Sequence, residues 1–450
     1  MIEHVVIIGG GFSGTLQAIN ILRHGVARVT LVERAGVPGR GLAYGAAHPS
    51  HLLNVHAGNM SAFHDDPGHF TRWLERRGVA DAARTYAPRL TYGTYVGELL
   101  DSALNDYAGR FAILHDEVED VTPHGSGARV RTRSTAIDAD VAILAVGNLP
   151  PHTPAMINPD RLAAGRYAPD PWDPSVLDGL TAEDTVLILG TGLTMVDVAL
   201  ALDAHGFAGR IVALSRRGLV SRPHAPTPPP DRPLREYPRH AASQLVRAVR
   251  KRADAIGWRG AVDELRPFTQ HMWSAADPAT RSRFLRHLRP WWDVHRHRIA
   301  PAIHKRLAEL QAAGRLMIHG GKLCRIDERG DAAIVSWRPR GDDRQRELVI
   351  RRIINCTGPL GDVSRTTEPL LRRLVASGTI RPDSAHLGID VDSSAQTIDA
   401  SGRANPWLAA VGPMTRGAFW EIIAVPDIRV QTWALGRRLT NAHWVDGEGL

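Results

Sequence analysis

The chain contains 450 residues, of which 43% are hydrophobic and 23% are charged, and 55 basic against 47 acidic side chains give a formal net charge of +8. A typical domain has about 150 residues, so we expect two or three domains, and the length excludes a small scaffold stapled by disulfides. No stretch reaches the roughly 18 consecutive apolar residues that span a bilayer, and the chain opens into an apolar strand without a basic leader. We therefore expect a soluble, cytoplasmic protein.

The two cysteines, Cys324 and Cys356, are far apart in the sequence. This spacing excludes a CxxC redox pair, a disulfide framework and a cysteine-rich zinc site. Any redox chemistry therefore has to come from a cofactor.

The first 33 residues contain the pattern of a dinucleotide-binding unit. A short apolar strand at 5–8 runs into the turn Gly9, Gly11 and Gly14, a helical pattern follows, and a second strand ends in Glu33. In a βαβ unit of this kind the glycines allow a tight turn, close approach of a pyrophosphate and close helix packing, and the acid binds a ribose. The alternative is an accidental glycine-rich turn after a strand.

A second unit of the same kind is predicted from the strand at 184–189 onward. The glycine turn and the helix start that follow predict a nucleotide site at Gly190, Gly192, Leu193 and Thr194. Met195 stands where the first unit has its third glycine, so we expect looser helix packing here.

The strand after this turn, at 210–214, ends without an acid. Ser215, Arg216 and Arg217 stand there instead. A carboxylate would repel a 2′-phosphate, whereas a hydroxyl and guanidinium groups would bind it, so the site favours NADP over NAD. The alternative is that the two arginines only begin a basic segment.

Two further apolar strands, at 141–147 and 353–359, end in small residues and bracket the second unit. They predict an α/β fold with two Rossmann-like domains, one inserted into the other. We expect an FAD-binding domain at 1–165 and 350–450, an NAD(P)-binding domain at 170–350, and a basic helical insertion at 223–306 inside the latter.

Residues 216–306 carry 18 arginines and 2 lysines against 7 acidic residues. Such an excess is compatible with nucleic acid, an anionic substrate, a phosphate-bearing cofactor or a solvated helical surface. We expect this insertion to cover the flavin, with Trp292 and Arg296 facing an acidic substrate.

Several stretches resemble one known family: GRGLAY at 39–44, HLLNV at 51–55, PRLTYGTY at 88–95, LSRRG at 214–218 and AVPDIR at 424–429. They are similar to the bacterial FAD/NAD(P)-binding family typified by YdhS-like proteins. That family is a neighbour of the class B flavin monooxygenases and N-hydroxylases. The resemblance implies FAD and NADP as cofactors.

The resemblance also implies a set of FAD-binding residues. The pyrophosphate would bind at Gly9, Gly11, Phe12, Ser13 and Gly14, the ribose at Glu33, and the rest of the cofactor along Leu53, Asn54, Val118, Gly147, Gly412 and Ile428. Related enzymes have Gly-Asp where this chain has Gly412-Pro413, so one ribityl contact is lost or supplied elsewhere. Free N–H groups of Asp427, Ile428 and Arg429 are expected at the flavin pyrimidine edge.

Glu421, beside Trp420, precedes that flavin-facing helix. It is our candidate general base or substrate anchor, with Trp420 as its neighbour in a catalytic site; a simple loop salt bridge is the alternative. His295 and His297 lie close to Asp293, but on a helix the three ligands do not converge, so we predict no metal site.

These features predict an FAD-dependent, NADPH-using monooxygenase that hydroxylates a small polar, acidic substrate through a flavin C4a-hydroperoxide. Its partners would be that substrate and molecular oxygen, without nucleic acid or membrane, and homo-oligomer formation is left open. One alternative is an NADPH-dependent reductase or oxidase that inserts no oxygen. A third is a nucleotide-sensing binding protein.

Overall fold

The computed structural model describes residues 2–227, 234 and 242–441. Part of the proline-rich stretch at 226–230, which opens the expected insertion, lies outside the described residues. The strands, in chain order, are β1 (His4–Ile8), β2 (Arg28–Glu33), β3 (Phe111–His115), β4 (Val118–His124), β5 (Gly127–Thr132), β6 (Ala136–Ala139), β7 (Val141–Leu144), β8 (Tyr167–Ala168), β9 (Thr185–Leu189), β10 (Arg210–Ser215), β11 (Leu316–Arg329), β12 (Ala332–Pro339), β13 (Arg346–Ile350), β14 (Arg352–Asn355), β15 (Gln396–Ile398) and β16 (Ala404–Ala410).

The α-helices occupy three regions: the first unit, the segment after the second glycine turn, and the C-terminal part. In chain order they are α1 (Phe12–His24), α2 (Gly41–Gly45), α3 (His69–Glu75), α4 (Arg89–Asp106), α5 (Leu193–Ala204), α6 (Ala242–Asp263), α7 (Thr269–Ala275), α8 (Pro278–Arg283), α9 (Arg289–Arg296), α10 (Pro301–Ala312), α11 (Pro369–Ala376) and α12 (Val425–Thr440). A helix at 242–263, interrupted at Gly257, and the helices that follow up to Arg296 lie within 223–306, the range of the predicted insertion.

The first sheet has six strands in the order β15-β16-β7-β1-β2-β3. All pairs are parallel except β15 with β16. The central strand β1 is apolar and buried over four of its five residues, as parallel strands covered on both faces are. Helices α1 and α4 cover one face, and α11 with the small antiparallel sheet β4-β5-β6 covers the other.

The second sheet has seven strands in the order β13-β12-β11-β10-β9-β14-β8. Strands β11, β10, β9, β14 and β8 run parallel, and β12 and β13 extend the sheet as an antiparallel meander. Helices α5 and α10 contribute to the apolar core on one of its faces. The predicted α/β architecture with two dinucleotide-type sheets is therefore confirmed.

Strand β14 differs from the sequence-based expectation. A domain boundary at 350 assigned Arg352–Asn355 to the first domain, but this strand pairs with β9 in the second sheet. Ile353 and Ile354 are fully buried there, and β8 pairs on the far side of β14. The first sheet resumes only at β15.

Within the described residues no helix is both long and apolar enough to cross a membrane.

Candidate functional site

The first glycine turn lies where β1 ends and α1 begins. Gly9 has φ +105°, and a Cβ there would come within 2.5 Å of the Ala145 carbonyl oxygen; a Cβ on Gly14 would lie 1.9 Å from the Gly9 oxygen. Gly11 caps α1, whose first turn contains no acidic residue. The N–H groups of a first helical turn have no partner within the helix, so this turn fits a pyrophosphate.

Glu33 ends β2 beside this turn. Its carboxylate accepts hydrogen bonds from the backbone N–H of Gly10, at 2.6 Å, and from that of Ala35, at 2.7 Å. Both bonds hold the acid at the mouth of the glycine turn, where a ribose hydroxyl would meet it. Together these residues fit the adenosine diphosphate half of FAD.

The second glycine turn repeats this geometry. Gly190 has φ +113°, and a Cβ there would lie 2.1 Å from the Cys356 carbonyl oxygen, as Gly9 meets Ala145. Gly192 caps α5 and has open space where a Cβ would point. Met195, fully buried, replaces the third glycine. Leu193 and Thr194 form the first turn of α5, so the predicted nucleotide residues share one helix start.

At the end of β10, the three residues predicted to bind a 2′-phosphate have different environments. The Ser215 hydroxyl lies 2.8 Å from that of Thr191 and accepts the Gly218 N–H at 3.0 Å, so it closes the turn. Arg217 donates to the main-chain carbonyls of Arg286 and His287, at 3.3 and 3.1 Å. Arg216 is exposed. Only Arg216 therefore has a guanidinium open to a ligand, and Arg217 fastens the helical insertion to the second sheet.

Of the remaining predicted FAD residues, Gly412 lies against the first glycine turn. Gly412 has φ +81°, and a Cβ on it would lie 2.5 Å from the Ser13 hydroxyl, so the chain after β16 passes directly over the α1 N-terminus. Its N–H donates to Gln431 at 2.8 Å. Gly147 has φ +69° with open space beside it. The predicted residues Phe12, Leu53, Val118 and Ile428 are buried, with exposures of 7, 4, 6 and 5%.

Asn54 lies at the junction of the two units. Its carbonyl oxygen accepts a hydrogen bond from His224 Nε2 at 2.8 Å. The His224 ring stacks on His56 with centroids 6.0 Å apart, and Tyr86 lies 4.4 Å from His56. Sequence reasoning missed this aromatic group, because His224 follows the other members by more than 130 positions and no motif joins them.

Helix α12 does not offer the free N–H groups expected at the flavin edge. The N–H groups of Asp427 and Ile428 both donate to the Ala424 carbonyl, each at 3.0 Å. The Asp427 carboxylate pairs with Arg266 at 2.8 Å. The helix turn satisfies its own donors here, because Ala424 is its N-cap.

Glu421 is 1% exposed and adopts φ +67°, a left-handed conformation that is rare outside glycine. Its Oε1 accepts from Trp292 Nε1 at 2.8 Å, and its Oε2 lies 3.1 Å from both Arg266 and Arg296. Burial raises the pKa of Glu421, and the nearby Arg266 opposes that shift. Three donors from the insertion thus hold this carboxylate, which favours the salt-bridge alternative over a free general base.

Trp292 and Arg296 consequently do not face a substrate as expected. Trp420 is 3% exposed and stacks on Trp273 with centroids 4.6 Å apart. Phe284 meets Trp420 edge-on at 5.3 Å. These contacts seal the insertion against the chain that precedes α12, so Trp420 lies in a packed interface.

His295 and His297 diverge, as the helical spacing predicts. His295 Nδ1 bonds to the Trp291 carbonyl at 2.7 Å, whereas His297 lies 3.9 Å from Asp293. In the part of the chain that the structure describes, no group of three or more His, Cys, Asp or Glu is arranged to hold a metal ion.

Residues 6–149 match a family described as FAD-NAD(P)-binding. A Baeyer-Villiger monooxygenase from Streptomyces coelicolor is 28% identical over 204 residues, which are 43% of this chain and 32% of that protein. This chain thus aligns with only about a third of the length of that curated relative.

Two solved structures share the architecture over nearly the whole chain. Ornithine hydroxylase from Pseudomonas aeruginosa has a TM-score of 0.67 at 13% identity, covering 98% of this chain and 100% of that one. L-lysine 6-monooxygenase from Pseudomonas syringae has a TM-score of 0.66 at 16% identity, covering 97% and 99%. The fold and the two glycine turns define an α/β protein with two dinucleotide-type units. Residues 6–149, which match the FAD-NAD(P)-binding family, contain the first of these turns, and the narrower likeness to YdhS-like proteins stays a prediction.

Proposed function

We propose that this chain is an FAD-dependent oxidoreductase that uses NADPH and molecular oxygen to hydroxylate a small polar, acidic substrate. The observation that carries the proposal is the pair of equivalent strand–glycine–helix units, at Gly9 and Gly190, each closed by the carbonyl of a neighbouring parallel strand. Similarity to a Baeyer-Villiger monooxygenase and the fold shared with an ornithine hydroxylase and an L-lysine 6-monooxygenase support oxygen chemistry.

FAD would bind at the α1 N-terminus, with its pyrophosphate on the first helical turn and its ribose at Glu33. NADPH would bind at the α5 N-terminus with its 2′-phosphate on Arg216. When bound, the flavin would accept hydride from NADPH and activate oxygen. Overall, NADPH, a proton, oxygen and substrate would yield NADP⁺, water and the hydroxylated product.

The residues of the chain would position the bound cofactors and exclude water from the site. The buried ion pair between Arg89 and Asp197, at 2.9 Å, joins α4 of the first unit to α5 of the second. Trp273, stacked on Trp420, closes the insertion over the segment before α12. Excluding water from such a site strengthens its electrostatics and limits side reactions. We propose that Glu421 positions this segment through its three donors.

The proposal is tested by mixing the purified yellow protein with NADPH without oxygen and following flavin absorbance. We expect reduction by NADPH and release of FAD on denaturation. A colourless protein that cannot be reconstituted with added FAD would contradict the proposal. So would a flavin that remains oxidised in the presence of NADPH.

Oxygen insertion is tested separately from flavin reduction. The reduced enzyme is mixed with ¹⁸O₂ and a panel of acidic and neutral metabolites, and products are analysed by mass. We expect one ¹⁸O atom in an acidic product. If all consumed oxygen appears as hydrogen peroxide for every compound, the reductase or oxidase alternative replaces the monooxygenase.

A further inference from the structure

Helix α9 presents two rows of polar side chains to the segment 412–421. Trp292 and Arg296 reach Glu421. Arg289, Asp293 and His297 follow one another at four-residue spacing and so share a second face of the helix. Arg289 Nε lies 3.4 Å from Asp293 Oδ2, and His297 Nε2 lies 3.9 Å from Asp293 Oδ1.

Arg416, across from α9, completes this group. Its guanidinium lies over the ring of Trp420, and Trp292 and Arg296 of α9 bind the next residue, Glu421. Burial lowers the pKa of His297 and raises that of Asp293; the charge of Arg416 adds to the first shift and opposes the second. We call Arg289, Asp293, His297 and Arg416 the Arg416 niche. It joins the helical insertion to the segment that begins at Gly412.

Three polar atoms of the niche are buried without a hydrogen-bond partner in the described structure: Asp293 Oδ1, His297 Nε2 and Arg416 Nε. Leaving a buried polar group unpaired costs about 1–3 kcal/mol, so native proteins pair nearly all of them. The 3.9 Å between Asp293 Oδ1 and His297 Nε2 is too long for a direct hydrogen bond, so a third polar atom beside the pair is needed to satisfy both. Their convergence therefore points to a ligand with several polar atoms.

The charges in and around the niche leave one cation uncompensated. Glu421 pairs with Arg266 and Arg296, Asp427 pairs with Arg266, and Asp293 pairs with Arg289, so three carboxylates face these three arginines. Arg416 has no ion pair within the described ranges. Burial lowers the pKa of Arg416 to about 10, with Arg289 adding to the effect, so it stays charged at neutral pH.

The niche is open on one side. The side chains of Arg289 and Asp293 are 35 and 34% exposed, whereas the Arg416 guanidinium lies over the Trp420 ring, 4.5 Å from its centre. Arg289 and Asp293 thus reach the surface, whereas the three unpaired atoms are buried. Gly412, four positions before Arg416, packs on Ser13 at the α1 N-terminus, which places the niche on the FAD side of the insertion.

We propose that the Arg416 niche binds the carboxylate of a small substrate, a proposal that rests on the function proposed above. The carboxylate accepts hydrogen bonds from Arg416 and Arg289, and a neighbouring polar group of the same compound bonds to both Asp293 and His297 from beside them. A single uncompensated cation matches a monoanionic carboxylate better than a dianionic phosphate. Arg416 is then a specificity-determining residue.

The test titrates the FAD-loaded protein with lactate and acetate, with their amides and with phosphate, at constant ionic strength and neutral pH, by calorimetry. We expect both carboxylates to bind more tightly than the amides and than phosphate. Arg416→Gln is expected to weaken lactate binding at least tenfold. Arg283→Gln removes an exposed arginine of the same insertion and is the matched control, expected to bind lactate as the unaltered protein does.

FAD content and thermal midpoint report whether Arg416→Gln folds, and Arg416→Lys, which keeps the charge, is expected to bind lactate with intermediate affinity. The proposal is overturned if no carboxylate binds, if the amides or phosphate bind as tightly, or if Arg416→Gln binds lactate unchanged. Reduction of the flavin by NADPH is recorded on the same samples. Flavin reduction without carboxylate binding would reject the niche as a carboxylate site and keep the proposed oxidoreductase function. Carboxylate binding without flavin reduction would keep the niche and reject that function.

Discussion

The Arg89 guanidinium lies 2.9 Å from the Asp197 carboxylate, and both side chains are largely buried, with exposures of 13 and 9%. Arg89 begins α4 in the first unit, and Asp197 lies one turn into α5, directly after the second glycine turn. His51 adds a hydrogen bond to the Asp197 carbonyl at 2.9 Å. This contact fixes the start of α4 in the first unit against α5, the helix that begins at the second glycine turn.

Arg89→Leu is expected to lower the free energy of unfolding by about 3–5 kcal/mol, because it leaves the Asp197 charge buried and unpaired. Adding Asp197→Leu is expected to restore much of that loss. Urea unfolding of the single and double variants measures both effects, with Arg84→Leu, an exposed neighbour, as control. If both single losses simply added in the double variant, the pair would not be coupled.

The two arginines after β10 are expected to have different roles, Arg216 in binding the 2′-phosphate and Arg217 in stabilising the fold. Arg216→Ala should cost about 1.5–3 kcal/mol in kcat/KM for NADPH and leave NADH unchanged, since it removes a charge-assisted contact to the 2′-phosphate. Arg217→Ala should instead affect both cofactors equally and lower the thermal midpoint, because its partners are carbonyls of the insertion. Flavin reduction rates with each cofactor decide this. An unchanged NADPH preference in Arg216→Ala would disprove the assignment.

Gly14→Ala is expected to abolish FAD retention, because the new Cβ would lie 1.9 Å from the Gly9 backbone oxygen and force α1 away from β1. The measurement is the ratio of flavin to protein absorbance after gel filtration. Gly97→Ala is the matched control, since that glycine lies within α4 with open space at its Cβ. Full FAD content in Gly14→Ala would show that the turn does not hold the pyrophosphate.

His297 is expected to make the protein less stable in acid. Burial, with Arg416, Arg266 and Arg289 facing it, lowers its pKa to about 3. A lowered folded pKa contributes stability that is present above the unfolded value of about 6.5 and is lost as pH falls from there towards 3. The slope is about 1.4 kcal/mol per pH unit for this one proton.

His297→Gln should therefore lose less free energy of unfolding than the unaltered protein between pH 6 and 4, measured by urea titration. The neighbouring Asp293, whose pKa burial raises, is present in both proteins. His295→Gln, on the same helix, is the control and should follow the unaltered protein. If the free energy of unfolding depended on pH in the same way in all three proteins, protonation of His297 would not be coupled to unfolding.

The glycine turns were predictable because their information is local. The apolar strands at 5–8 and 28–33 correspond to β1 and β2, and the second turn likewise follows β9. A tight turn between a buried strand and a helix depends on a few adjacent residues. Short-range sequence was therefore sufficient to predict the dinucleotide-type fold.

The environment of Glu421 was not predictable in the same way. Its three donors are 125 to 155 positions earlier in the chain, and they meet it only after two domains and the insertion have packed. Arg217 likewise binds carbonyl oxygens, which every residue carries and no motif marks. The strand β14 was assigned to the wrong side of the boundary because a buried apolar strand fits either parallel sheet.

The pairing of β16 with β7 has a consequence for the order in which the chain folds during synthesis. When a ribosome has released residue 355, every strand of the second sheet exists, but the first sheet has four of its six strands. The outer edge of β7 then presents unpaired backbone groups, which are a template for aggregation. The inserted sheet can therefore finish first, and the nascent chain depends on the late arrival of 404–410 to cover that edge.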